Sequence, residues 1–97
     1  MNKATVMAEL RRRQADLRVR GVGALYLFGS HARGEETDES DIDLFFEPTG
    51  RSLSLLDVIA IRHFLEDELH RSVDVMTRSS IHPVLKDCVE VEAELVF

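Results

Sequence analysis

Hydrophobic positions recur along this chain with two different periods, and the places where the period changes mark its elements. From about Ala4 to Arg18 the residues are good helix formers, with Met7, Leu10 and Leu17 on one stripe and Arg11, Arg12 and Arg18 on the other side, which predicts an amphipathic helix. Gly23 and Gly29 then bracket Ala24-Leu25-Tyr26-Leu27-Phe28, a run with the length and aromatic content of a buried strand. Asp41-Ile42-Asp43-Leu44-Phe45-Phe46-Glu47 begins in strict alternation and stops at Pro48. It reads as a second strand, with Asp41 and Asp43 on one face and Ile42 and Leu44 on the other. Ser54 with Asp57 three residues on predicts a capped helix start, and Leu55, Val58, Ile59, Arg62, Leu65 and Leu69 continue at helical spacing to about His70. Ser72 to Met76 reads as a third strand, Val84 to Ala93 as a last helix and Leu95 to Phe97 as a terminal strand. The order αβ(α)βαβαβ predicts an α/β (α+β) fold, a small sheet with helices packed on it.

Composition narrows the possibilities. At 97 residues and 11.0 kDa the chain is expected to form one domain, residues 1–97. Hydrophobic residues make up 44% and charged residues 31%, ordinary globular values that argue against disorder. The net charge of −6 is a local matter: Glu35 to Glu47 holds seven of the 18 acids and no base, leaving 11 acids against 12 bases elsewhere. A concentrated acidic segment is the compositional mark of a cation site and the opposite of a nucleic-acid footprint, so direct contact with nucleic acid is not expected. Cys88 is the single cysteine, which rules out an internal disulfide and favours a reducing, cytoplasmic setting. No apolar run approaches the ~20 residues of a membrane span, and none is expected to meet a membrane.

The chemistry lies in two short motifs and their spacing. Two aspartates at i and i+2 of a strand project from one face roughly 6–7 Å apart, so together they can hold a hard divalent cation such as magnesium through oxygen. Their mutual repulsion is a cost that a bound cation removes. Upstream, Gly29-Ser30 directly follows a strand, where glycine permits a tight turn and close approach to a ligand. Backbone N–H groups there, with the Ser30 hydroxyl, can cradle phosphate. Arg33, one turn on, can reach phosphate or brace the acidic loop. Either motif alone is commonly just a turn or a solvated strand end. Gly-Ser followed after ten residues by Asp-x-Asp arises by chance in roughly one such chain per thousand, taking ordinary residue frequencies.

The stretch Leu25-Tyr26-Leu27-Phe28-Gly29-Ser30-His31-Ala32-Arg33-Gly34, followed by Ser40-Asp41-Ile42-Asp43-Leu44, resembles the nucleotidyltransferase superfamily that includes DNA polymerase beta, most closely its minimal nucleotidyltransferases. That family carries a third carboxylate on a later strand, and Asp74 in Val73-Asp74-Val75-Met76-Thr77 matches it. The resemblance implies the minimal nucleotidyltransferase fold and transfer chemistry with ATP and two Mg²⁺ ions. Asp41, Asp43 and Asp74 are then the metal ligands and catalytic residues, and Gly29, Ser30 and Arg33 contact the nucleotide. It further implies an antitoxin of a HEPN/MNT toxin–antitoxin pair, in a heteromeric complex with a HEPN-family toxin, adding AMP to a tyrosine hydroxyl of that toxin. Length points the same way, since a chain of this size is expected to find its acceptor on another protein.

Two alternatives stand beside this reading: an antitoxin that neutralises its partner by binding alone, and a stand-alone transferase acting on a small molecule. Other residues carry less. His31 is expected in solvent, His63 and His70 on a polar helix side, and of Phe45 and Phe46 one ring in the core and one toward a groove.

Overall fold

The computed structural model describes residues 1–50 and 53–97. Helix α1 (Lys3–Arg12) starts at Asn2, whose side chain accepts a hydrogen bond from the Thr5 N–H at 2.9 Å, the usual way of satisfying a free donor in a first turn. The single helix expected here is two. Arg13 leaves helical geometry with φ −101° and ψ 12°, and a second helix, α2 (Gln14–Val19), follows. The Arg13 guanidinium donates to the Glu9 carbonyl at 2.7 Å and to the Glu9 carboxylate at 2.8 Å. It thereby satisfies a carbonyl at the end of α1, while Leu10 and Leu17 stay buried on either side of the break.

Strand β1 (Val22–Phe28) leads through the four-residue helix α3 (Ser30–Arg33) to β2 (Ile42–Pro48). Helix α4 (Leu55–Leu69) then crosses to β3 (Val73–Thr77), and α5 (Pro83–Glu92) returns the chain to the two-residue strand β4 (Glu94–Leu95). The expected capping pair is present in full: the Asp57 N–H donates to Ser54 Oγ at 3.2 Å and the Ser54 N–H donates to Asp57 Oδ2 at 2.9 Å. The sheet order is β3-β2-β1-β4, with β1 antiparallel to both β2 and β4 and β2 parallel to β3. Beyond β4, Val96 and Phe97 continue the pairing with Leu25.

Alternation fixes what each face carries. Leu25, Leu27, Ile42, Leu44, Phe46, Val73 and Val75 join Val6, Met7, Leu10 and Leu17 from the first two helices and Ile61, Leu65 and Leu69 from α4 in one apolar core. Phe45, one residue out of step, lies on the opposite face and is nevertheless fully buried, so both rings of the Phe45-Phe46 pair are enclosed. Phe45 stacks on Tyr26 at 4.8 Å, and the Arg78 guanidinium covers the two rings at 5.3 and 4.9 Å. That cover fills the place a groove would have taken. Among the described residues no helix is long and apolar enough to cross a membrane.

Candidate active site

The predicted residues gather at one end of the sheet. Gly29 directly follows β1 with φ +77°, a conformation that suits glycine alone among common residues. A methyl group placed there would overlap the Asp43 carboxylate, whose Cγ would lie 3.1 Å from it. Glycine is therefore required twice, for the turn and for the space that Asp43 enters. Asp43 pairs in register with Phe28 on one side and with Asp74 on the other. Paired residues of adjacent strands share a face, so two carboxylates stand side by side on β2 and β3. Asp41 lies one residue before β2 and is exposed, as is Asp74, whereas Asp43 is half-buried.

This placement alters Asp43. Burial first, then the neighbouring charges of Asp74 and Asp41, push its carboxyl up from 3.8 to about 6, with Arg33 pulling the other way and Glu92 adding to the rise. Such a site favours a cation, because hard oxygen donors are present and a positive charge would offset the repulsion among them. The donor set fits magnesium in chemistry. Among the described residues no three carboxylate, imidazole or thiol side chains already stand together as a metal cluster, so the exposed Asp41 and Asp74 side chains would have to turn toward a bound ion.

Arg33 braces the acidic loop, with its Nε donating to Glu35 at 3.0 Å and its Nη1 to Glu92 at 2.9 Å. Those carboxylates, Glu92 foremost, raise its pKa further. Ser30 opens α3 and is half-buried. His31 is not in solvent. It is fully buried, with Nδ1 3.1 Å from the Asp41 carbonyl. A carbonyl only accepts, so Nδ1 carries the proton in this contact, and the ring ties α3 to the start of β2. Its Nε2 has no partner among the described residues.

Glu92 is the residue that sequence reasoning missed. It closes an ordinary helix in sequence, yet its carboxylate accepts a hydrogen bond from the Gly29 N–H at 3.1 Å across 63 positions of chain. No local pattern signals such a contact. A cavity of about 360 Å³ lies elsewhere, lined by residues that include Ser54, Leu55, Val58, Val75 and Thr77, and none of the predicted site residues borders it.

A family model for the nucleotidyltransferase domain matches residues 7–96. The chain belongs to this family. Within it, a Methanocaldococcus jannaschii protein named "Putative protein adenylyltransferase" is 47% identical over 73 residues, covering 75% of this chain and 77% of that protein. A solved "putative minimal nucleotidyltransferase" superposes with a TM-score of 0.75 at 35% identity, covering 97% of this chain and 95% of the other. The fold also matches a structure of tri-AMPylated Shewanella oneidensis HEPN toxin in complex with MNT antitoxin. There the TM-score is 0.67 at 21% identity, with 90% of this chain and 68% of the other covered. The α/β fold expected from the sequence is thus the minimal nucleotidyltransferase fold, and the protein is a nucleotidyltransferase.

Proposed function

We propose that this nucleotidyltransferase, acting in the cytoplasm as one domain, is an antitoxin that transfers AMP from ATP to a tyrosine hydroxyl of a HEPN-family toxin bound to it. The observation that carries the reading is the Gly29 turn packed against Asp43, with Asp74 directly opposite on the next strand. It sets a glycine turn with the room and donors to receive phosphate beside paired carboxylates. The name of the methanogen relative and the AMPylated toxin in the Shewanella complex support the choice of adenylyl group and of partner.

Gly29 and Ser30 present backbone and hydroxyl donors to the β and γ phosphates, and Arg33 adds a guanidinium at the same turn. Asp41, Asp43 and Asp74 are the residues that would hold two magnesium ions, which when bound polarise the attacking and leaving oxygens of an in-line displacement. Asp74 is exposed on the edge strand β3, where an acceptor presented by another protein can reach it, and its carboxylate can take the phenolic proton as the tyrosine oxygen bonds to the α-phosphorus. Pyrophosphate leaves with the electron pair of the broken bond.

The test is incubation of the protein with a purified HEPN partner, Mg²⁺ and ATP, read by intact mass. The partner should gain ~329 Da or a multiple of it, the mass of added AMP. Asp43→Asn should slow that gain at least ~1,000-fold, the scale expected when a carboxylate central to metal-assisted transfer is removed. A partner that stays unmodified yet is tightly bound and inhibited would shift the function to neutralisation by binding alone.

A further inference from the structure

Two of the donors that the proposed cradle offers to phosphate, the Gly29 N–H and the Arg33 guanidinium, are already engaged. Glu92 Oε1 accepts from the Gly29 N–H at 3.1 Å, and Glu92 Oε2 accepts from Arg33 Nη1 at 2.9 Å. A main-chain N–H and a guanidinium N–H are groups that recognise phosphate oxygens, and the Glu92 carboxylate takes one of each while the Arg33 Nε stays with Glu35. The turn after β1 is thus occupied by an anion that the protein itself supplies.

We propose that Glu92 is an intramolecular competitor for the triphosphate, a carboxylate that holds the phosphate donors in the free protein and yields them when a nucleotide brings more charge and its own cation. This rests on reading the Gly29 turn as a phosphate cradle. Little stands in the way of the exchange. None of the described residues of α5 is buried, and the Glu92 and Arg33 side chains retain 25% and 44% of their accessible surface, so rotation of one side chain clears the turn. A ligand without phosphate gains nothing from that rotation, and polyphosphate arriving without a cation meets Asp41, Asp43 and Asp74 unscreened. The device therefore favours the cation-bound polyphosphate of a nucleotide over either part alone.

Calorimetric titration of the full chain tests this, with Mg-ATP, Mg-tripolyphosphate and adenosine as separate ligands. Glu92→Gln keeps the shape of the side chain and removes its charge, and Glu92→Ala removes the contact. Asp87→Asn, at an exposed position on the same helix, removes an equal charge from a residue that bonds neither Gly29 nor Arg33. Both Glu92 variants should bind Mg-ATP and Mg-tripolyphosphate roughly tenfold more tightly than the wild type, the size expected when a charge-assisted contact no longer competes. Adenosine affinity should be unchanged and Asp87→Asn should stay within about twofold of wild type. If the wild type binds Mg-ATP but the folded Glu92→Gln protein binds it equally or more weakly, Glu92 is a clamp for α5 and the competitor is excluded while the cradle stands. An equal gain in Asp87→Asn would also exclude it, in favour of general charge. If neither wild type nor folded Glu92→Gln binds ATP or tripolyphosphate, the cradle itself is wrong and the competitor falls with it.

Discussion

On the helix-covered face of the sheet, Leu25, Leu27, Ile42, Leu44 and Phe46 are fully buried, whereas the opposite face, offset by a single residue, carries Tyr26, Phe28, Asp43, Phe45 and Asp74. The first face is continuous hydrocarbon. The second places aromatic rings next to carboxylates that repel one another. Each strand thus divides its residues by parity, one set contributing to stability and the other to chemistry that costs stability. Because neighbours in sequence belong to different sets, the division can be probed by substitutions one position apart.

The largest stability effect should come from Leu44→Ala, which leaves a cavity beneath the helices and should cost about 3 kcal/mol in a denaturant titration. Asp43→Asn, on the other face, should move stability in the opposite direction, and only over part of the pH range. The Asp43 carboxyl is raised from 3.8 to about 6 in the folded protein, so the folded state holds that proton more tightly than the unfolded chain. Its contribution is complete below pH ~4 and is lost as pH rises through about 6. In magnesium-free buffer, wild type and Asp43→Asn should therefore diverge between those limits, with the variant melting higher at pH 7. A melting-temperature difference that stays constant with pH would mean that Asp43 titrates normally. The smallest effect belongs to Ser54→Ala, which removes one half of the capping pair of α4 and belongs to neither predicted motif. It should cost about 1 kcal/mol by thermal melt, with nucleotide binding unchanged.

Much of this arrangement was legible in the chain itself, because it depends on local periods. Alternation through Ile42 and Leu44 fixed the faces of β2, and the glycine before Ser30 marked the turn. The capping pair located the start of α4 to the residue. The parts that escaped depend on contacts between distant segments or on atoms that sequence patterns ignore. Arg13 is a good helix former, and the break at it is marked only by a side chain that bonds back to the Glu9 carbonyl. His31 resembles a loop residue until α3 is packed against the sheet and the ring meets the Asp41 carbonyl. Glu92 occupies an unremarkable helical position, and only the return of α5 across the sheet brings it to Gly29.

The parallel pairing of β2 with β3 also has a kinetic consequence. Parallel neighbours cannot be closed by a tight turn, so Val73–Thr77 can settle beside β2 only after the chain has passed through the whole of α4. Loop-closure entropy is paid before the strands reward it, which makes this pairing a slow step compared with forming α4 itself. Asp43 and Asp74 are accordingly expected to meet only once α4 has formed. Their repulsion then burdens the native state more than the path toward it, and a cation that relieves it acts chiefly by slowing escape from the folded basin.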